Sequence, residues 1–374
     1  MQTVARLLRA PTPMASQPRR RQVGRATDYE RTAMRVNWTR VGVIALAAVG
    51  VAALTLAWSA RGQQRRNNES MKKTLMETFD MSNAIIDTDE LLAPGVPKDG
   101  IPALTDPETA PAASAEFPGL TDRVVSVAIG DEAVAYPIKI LNWHEAVNDT
   151  VGGVPIVVTY CPLCDSAAAA DRRVTTKDGE TLTLEFGISG FLYNSNMVMY
   201  DQTSMGIWSQ VYLRAMTGPL AGTRLRTVPI RVEPFARFIA AHPTGRVMTT
   251  NTGHNRPYDR NPYAGYFADG ERVFHDFHWR DDLPVKTLGA GVLAGDDAVF
   301  VTKAALEAHG GSMTVPTPRG DVAVTLTDAG FAFDAVPEGV DVMQVFWHSW
   351  SAFHPQTRII AAPGEAKTDA DGGE

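Results

Sequence analysis

The sequence predicts a β-rich α+β fold with an internally duplicated body, its second half shortened, preceded by one transmembrane helix. Three observations carry this. An uncharged apolar run of 18 residues lies near the N-terminus, the body consists of short β-rich stretches separated by Gly, Pro and Asp, and three short anchors recur near both ends of that body.

Residues 1–40 hold nine arginines against only Asp28 and Glu30, with prolines and no apolar periodicity, and read as a disordered basic tail. Val41 to Trp58 follows, bracketed by Trp38 and Trp58, and is long enough for one membrane-spanning helix. The basic region ahead of it is longer than that of a secretory signal peptide, and a mitochondrial targeting peptide is a weaker rival. Before residue 74 lie 14 of the 35 basic and 3 of the 42 acidic residues, leaving 21 and 39, a net charge of −18 for the remainder. Such a surface excludes nucleic acid as a partner and favours a soluble domain on the outer side of the membrane, although Arg61, Arg65 and Arg66 make the local positive-inside count nearly even.

Residues 59–100 form a juxtamembrane helix and linker. Met71, Leu75 and Phe79 recur at helical spacing behind Ser70, and a Pro- and Ala-rich extended stretch follows from Leu91. The body spans residues 101–362, and 363–374 is a disordered acidic tail. Strands are expected at Val124–Ile129, Val154–Tyr160, Leu182–Phe186, Met197–Tyr200 and Val322–Leu326, and helices at Pro137–Val147 and Pro234–Ala241, each opening on proline. The recurring anchors are Gly130-Asp131-Glu132-Ala133-Val134 with Gly295-Asp296-Asp297-Ala298-Val299, Gly190-Phe191 with Gly330-Phe331, and His242-Pro243 with His354-Pro355. Their offsets shrink along the chain, so the second copy is expected to lack a counterpart of the strand that carries the chemistry.

That strand ends in Tyr160-Cys161-Pro162-Leu163-Cys164, which holds both cysteines of the chain. Two thiols three residues apart either cycle through a small disulfide or share one soft metal ion. The flanking β-rich stretches place the pair in a turn between strands. A disulfide closing so short a loop removes little unfolded-state entropy, which favours redox use over a structural staple. His144, in Asn142-Trp143-His144-Glu145 just before the strand, is the nearest proton acceptor or further ligand. Met197 and Met199 share a strand face, so Met199 with the cysteines and His144 would suit copper, as cysteine and histidine would suit zinc. His254, His275 and His278 fall in a loop-like stretch from Asn251 to Arg280, where Arg256, Tyr258 and Tyr263 could also grip a ligand. Neither HExxH nor GxSxG is present, which removes two familiar hydrolytic classes.

These residues resemble the bacterial family known as domain of unknown function 3179. Its motifs appear here as Trp143-His144-Glu145 with Val147-Asn148-Asp149, Thr159-Tyr160-Cys161-Pro162-Leu163-Cys164 with Ser166, Phe186-Gly187 with Ser189-Gly190, Met199-Tyr200-Asp201 with Trp208, Gly218 to Leu225, and Asn261-Pro262-Tyr263. The resemblance implies an exported or membrane-anchored protein and carries no established activity. Asp165 departs from the small or neutral residue expected there, and a carboxylate beside Cys164 should raise that thiol's pKa.

The leading expectation is a single-pass protein, anchored in the membrane by its N-terminal helix, whose Cys161 and Cys164 undergo thiol–disulfide exchange with His144 as proton acceptor. The alternatives are a copper- or zinc-binding protein using Cys161, Cys164, His144 and Met199, and a noncatalytic envelope interaction module with a structural disulfide. The sequence names neither a protein nor a small-molecule partner.

Overall fold

In a computed structural model of the protein, residues 63–274 and 277–366 are described. The basic tail, the apolar run 41–58, His275 and the tail from residue 367 lie outside them. Among the described residues no helix is long and apolar enough to cross a membrane. The fold is mixed and strand-rich.

Two large sheets repeat one plan. In the first copy a hairpin of Arg123–Ile129 and Glu132–Pro137 turns on Gly130, which adopts the left-handed φ of +59° that such a turn requires, and leads into the helix Ile138–His144. Later the strand Arg231–Pro234 pairs antiparallel with the hairpin's first strand, the helix Phe235–Ala241 follows, and after His242-Pro243 the strand Arg246–Met248 runs parallel to the hairpin's second strand. The second copy is Leu288–Ala294 and Asp297–Thr302 turning on Gly295, the helix Lys303–Ala308, then Val340–Phe346, the helix Trp347–Phe353, His354-Pro355 and Arg358–Ile360, with the same pairings.

Each copy also contributes a three-stranded antiparallel meander. These are Ala146–Val151, Val154–Cys161 and Ser166–Asp171 in the first copy, and Ser312–Val315, Val322–Leu326 and Phe331–Asp334 in the second. Each meander joins the sheet built by the other copy, through Ala167 beside Gln344 and Ala332 beside Arg231. This exchange interlocks the two halves.

Two expectations need correction. Gly330-Phe331 opens the third meander strand, so by register it matches Ser166-Ala167. Gly190-Phe191 belongs instead to a separate four-stranded sheet, Phe186–Tyr193, Asn196–Asp201, Ile207–Ser209 and Arg214–Ala215. The cysteine strand also keeps a counterpart, Val322–Leu326, because the first copy is lengthened mainly by this extra sheet.

The sheets stack in three layers. One apolar core joins the two large sheets, with Val125, Val158, Tyr160, Val292 and Phe331 among its members. A second core lies on the other face of the cysteine-bearing sheet, against the four-stranded sheet and the N-terminal helix, and contains Leu75, Phe79, Cys161, Cys164, Phe186 and Trp208. Residues 63–78 are helical. That helix and the segment after it are not a free stalk, since Leu75, Phe79 and Leu91 are buried and Leu92 pairs with Leu192. The Ser166–Asp171 strand is covered on both faces, and its alanines alternate between the two cores, Ala167 and Ala169 in one and Ala168 and Ala170 in the other.

Close approach in the central sheet depends on glycine. A Cβ on Gly291 would lie 2.4 Å from the Trp350 ring, which the helix Trp347–Phe353 lays across the strand. Gly291→Ala should therefore cost about 1–3 kcal/mol through overpacking, read as a lower urea midpoint. Gly265→Ala, on a helix with open space around it, should leave the midpoint unchanged or slightly raised.

Candidate functional site: a buried dithiol

Alternation along Val154–Cys161 sends Val158 and Tyr160 toward one core while Val157 and Cys161 face the other. Residues 162–165 turn the chain back into Ser166–Asp171, so the cysteines sit at a hairpin tip as the sequence predicts. Both are fully buried free thiols. The turn closes through the Cys164 amide, which donates to Cys161 O at 3.2 Å.

The thiols form a short chain. Cys161 is hydrogen-bonded to Cys164, and the Cys164 thiol donates to Ser195 O at 3.2 Å. Ser195 and Asn194 both have positive φ, 61° and 47°, in the tight turn between Phe186–Tyr193 and Asn196–Asp201, and this conformation presents the carbonyl. Burial pushes the Cys161 thiol well above its ordinary pKa, and its bond to Cys164 adds to the rise. Backbone groups of Met197 and Leu163 favour the thiolate without reversing it.

A polar network backs the turn. Ser166 Oγ donates to Gln210 Oε1 at 2.6 Å, Asn196 Nδ2 donates to both, and Gln210 Nε2 donates to Thr159 Oγ1 and Ser166 O at 3.1 Å. On the other side the Asp165 carboxylate accepts from Arg123 at 3.0 Å and from the Tyr160 hydroxyl at 2.8 Å. Asp165 is thus ion-paired and anchors the turn, so the carboxylate expected to act on Cys164 carries its own counter-charge.

Glu145 is the acid at the cysteines. It caps the helix Ile138–His144 in the left-handed region, φ 57° and ψ −28°, where glycine or asparagine is usual. Its backbone carbonyl accepts from the Tyr160 amide at 2.8 Å, and its side chain hydrogen-bonds to Tyr263. Burial holds its carboxyl well above the usual carboxylate range, and the neighbouring Cys161 sulfur raises it further. A cavity of about 120 Å³ opens beside it, lined by Ile101, Glu145, Leu163, Ile188, Met197 and Tyr263. The cavity is apolar apart from this carboxyl and the tyrosine.

His144 and Met199 are placed elsewhere. His144 Nδ1 donates to Pro102 O and Nε2 accepts from the Tyr258 hydroxyl, each at 2.7 Å, the tautomer following from the carbonyl acceptor. Burial lowers its pKa to about 4, in keeping with a neutral ring. With both nitrogens committed, His144 is not the hydrogen-bond partner of either thiol. Met199 is buried between Ile188 and Trp208 in the four-stranded sheet, and it is Met197 that reaches Cys161 and the cavity. Among the described residues no three or more His, Cys, Asp and Glu side chains gather as a metal site.

The stretch Asn251–Arg280 covers the site with tyrosines. Tyr258 holds His144, Tyr263 holds Glu145, and the Tyr266 hydroxyl donates to Leu163 O at 2.9 Å. Sequence reasoning missed Glu145, Ser195 and Tyr266. The one available signal was an acid at a helix C-terminus, where the dipole disfavours negative charge.

The class these observations define is a strand-rich, twice-repeated protein with an enclosed dithiol and a buried carboxyl beside it. The chain belongs to the family described as protein of unknown function (DUF3179), whose model matches residues 98–336. No curated protein and no solved structure matches it.

A pH test follows from Glu145. Its folded pKa is raised, so the stability it contributes is complete below the unfolded value near 4.5 and is lost as pH rises through the folded value. Glu145→Gln should therefore gain stability relative to the unmodified protein as pH goes from 5 to 8, measured by urea unfolding at both values. An advantage that is the same at both pH values would show that Glu145 is ionised throughout.

Proposed function

We propose that the protein is a membrane-anchored thiol–disulfide redox protein whose body lies outside the cytoplasm and whose Cys161 and Cys164 cycle between dithiol and disulfide. The observation that carries this is the pair of fully buried free thiols in one tight turn, with the buried carboxyl of Glu145 beside Cys161. The anchor at residues 41–58 and its orientation rest on the apolar run and on the acidic charge of the body.

In this reading the Cys161 proton passes to ionised Glu145, and the thiolate attacks one sulfur of a disulfide R–S–S–R, releasing one thiolate and leaving a mixed disulfide. Cys164 then displaces the second thiol. The sum is one protein disulfide and two RSH, and the reverse reaction reduces the protein. A carboxyl whose pKa is raised is, once ionised, a stronger base for that proton transfer. Enclosure of the sulfurs behind Leu163 and a cavity of about 120 Å³ suits a small substrate better than a protein disulfide. We read the repeated plan as an internal duplication in which the first copy acquired the chemistry and the second completes the sheets.

The test is a thiol count and metal analysis on the full-length protein purified without chelator. Two thiols that become alkylatable in denaturant only after mild reduction, with no metal bound, are expected. Glu145→Gln should slow oxidation by a small disulfide by about 10²-fold or more while leaving that count at two. Near-stoichiometric copper or zinc that disappears in Cys161→Ser would replace this reading with the metal-binding one. Two thiols inert to oxidant in the folded protein would leave a structural role.

A further inference from the structure

Both thiols are fully buried, so a molecule that meets Cys161 or Cys164 in the folded protein requires part of their cover to move. Besides their own sheet, three parts of the chain close over the dithiol and its cavity, and they are held in different ways. The four-stranded sheet is tied by strand pairing, from Phe186–Tyr193 across to Arg214–Ala215. The segment after the N-terminal helix is tied by backbone bonds, Leu92 with Leu192 in both directions and the Asp99 amide to Ile188 O at 3.0 Å. The third part is the stretch after residue 250. Its beginning is fastened beside the helix Ile138–His144, where Tyr258 bonds to His144 and Trp143 Nε1 donates to Arg260 O at 3.3 Å.

Residues 261–269, which follow, are held by side chains. Among the described residues no backbone-to-backbone hydrogen bond joins them to the rest of the body, and their one regular element is the short helix Ala264–Ala268. They form a single layer in which only Tyr266 is buried. Tyr263 holds Glu145 and lies within electrostatic reach of Cys161. Tyr266 reaches both sulfurs in the same way and donates to Leu163 O, in the cysteine turn, at 2.9 Å. Lys286 steadies this layer, its Nζ donating to the Tyr266 and Asp269 carbonyls and lying 3.6 Å from the centre of the Tyr266 ring. Phe267 adds an edge contact with Phe346.

Local opening takes the least free energy where backbone ties and buried contacts are few. Of the three covers, residues 261–269 meet that condition, and their two tyrosine bonds end on the acid and the turn of the candidate site itself.

We infer that residues 261–269 form a lid over the dithiol, latched by Tyr263 and Tyr266, and that the lid lifts while the sheets beneath it stay folded, admitting a small disulfide to the sulfurs. The identity of what enters rests on the redox reading above, and the path rests on the geometry.

The test is alkylation of the reduced full-length protein by iodoacetamide in urea held below the unfolding transition, with oxidation by hydroxyethyl disulfide followed in parallel. A lifting lid exposes little surface, so the alkylation rate should be nearly independent of urea, whereas access through global unfolding would rise with the full denaturant slope. Tyr266→Phe removes the latch on Leu163 O and should speed alkylation about 3- to 10-fold. Tyr212→Phe removes a similar bond, to Phe353 O at 3.0 Å, on the side of the Ser195 turn, and should lower the urea midpoint while leaving alkylation unchanged. Alkylation that follows the global slope, or that quickens as much in Tyr212→Phe as in Tyr266→Phe, would overturn the lid. Alkylation through the lid in a protein that hydroxyethyl disulfide does not oxidise would keep the lid and remove the redox reading.

Discussion

Everything around the cysteines follows from burying a polar turn between sheets. A hairpin tip normally faces solvent, which satisfies its carbonyls and amides. Here the tip lies between sheets, and its exposed valences are answered one by one. Tyr266 donates to Leu163 O, the Phe346 amide donates to Cys164 O, Gln344 donates to Asp165 O, and Arg123 with Tyr160 holds the Asp165 carboxylate. These partners come from both copies, so the dithiol geometry is set by the whole body. The cost is local, with Glu145, Asp165, Asn194 and Ser195 all at positive φ, at about 1–3 kcal/mol each for non-glycine residues.

The second copy shows what the same hairpin looks like without chemistry. By register, Thr327 stands where the first copy has Cys161, and the turn after it is two residues shorter. The Thr327 hydroxyl closes that turn itself, donating to Val232 O and accepting from the Ala329 and Gly330 amides. A four-stranded sheet covers the cysteine turn and supplies Ser195 and Met197. The site is thus a departure from the repeat, made by a longer turn and the sheet inserted after it.

The sequence makes the cysteine turn legible because a CxxC ends an apolar, β-branched run and a Gly-containing turn lies beyond it. Both predicted helices open on the expected proline, Pro137 and Pro234, though the first stops at His144 because Glu145 leaves helical φ. That local turn of the backbone is why the sequence points to His144 where the structure sets Glu145 beside Cys161. His144 and Glu145 are neighbours in sequence, but the left-handed cap sends one toward Pro102 and Tyr258 and the other toward Cys161. Tyr266 lies 103 residues from Leu163, and no local pattern encodes such a contact. The exchange of meanders is equally hidden, since alternation within a strand marks its buried face and says nothing of which sheet it joins. The Gly190-Phe191 anchor failed for a related reason, as two residues in a β-rich setting fit more than one strand.

Glu145 lies beside Cys161, and on the redox reading this links its protonation to the state of the thiols. The Cys161 sulfur adds to the rise that burial gives the Glu145 carboxyl, while the Cys161 thiol is itself raised by burial and by Cys164. In the dithiol state burial dominates over the backbone donors from Met197 and Leu163, which favours the protonated Cys161 thiol. On the redox reading, closing the disulfide removes the sulfur that can carry charge and therefore the repulsion that helps keep Glu145 protonated, while leaving desolvation in place. The Glu145 pKa then falls toward, without reaching, the ordinary carboxylate range. Oxidation thereby favours proton release from Glu145, and the same carboxylate is ready to take the proton back when the dithiol is restored.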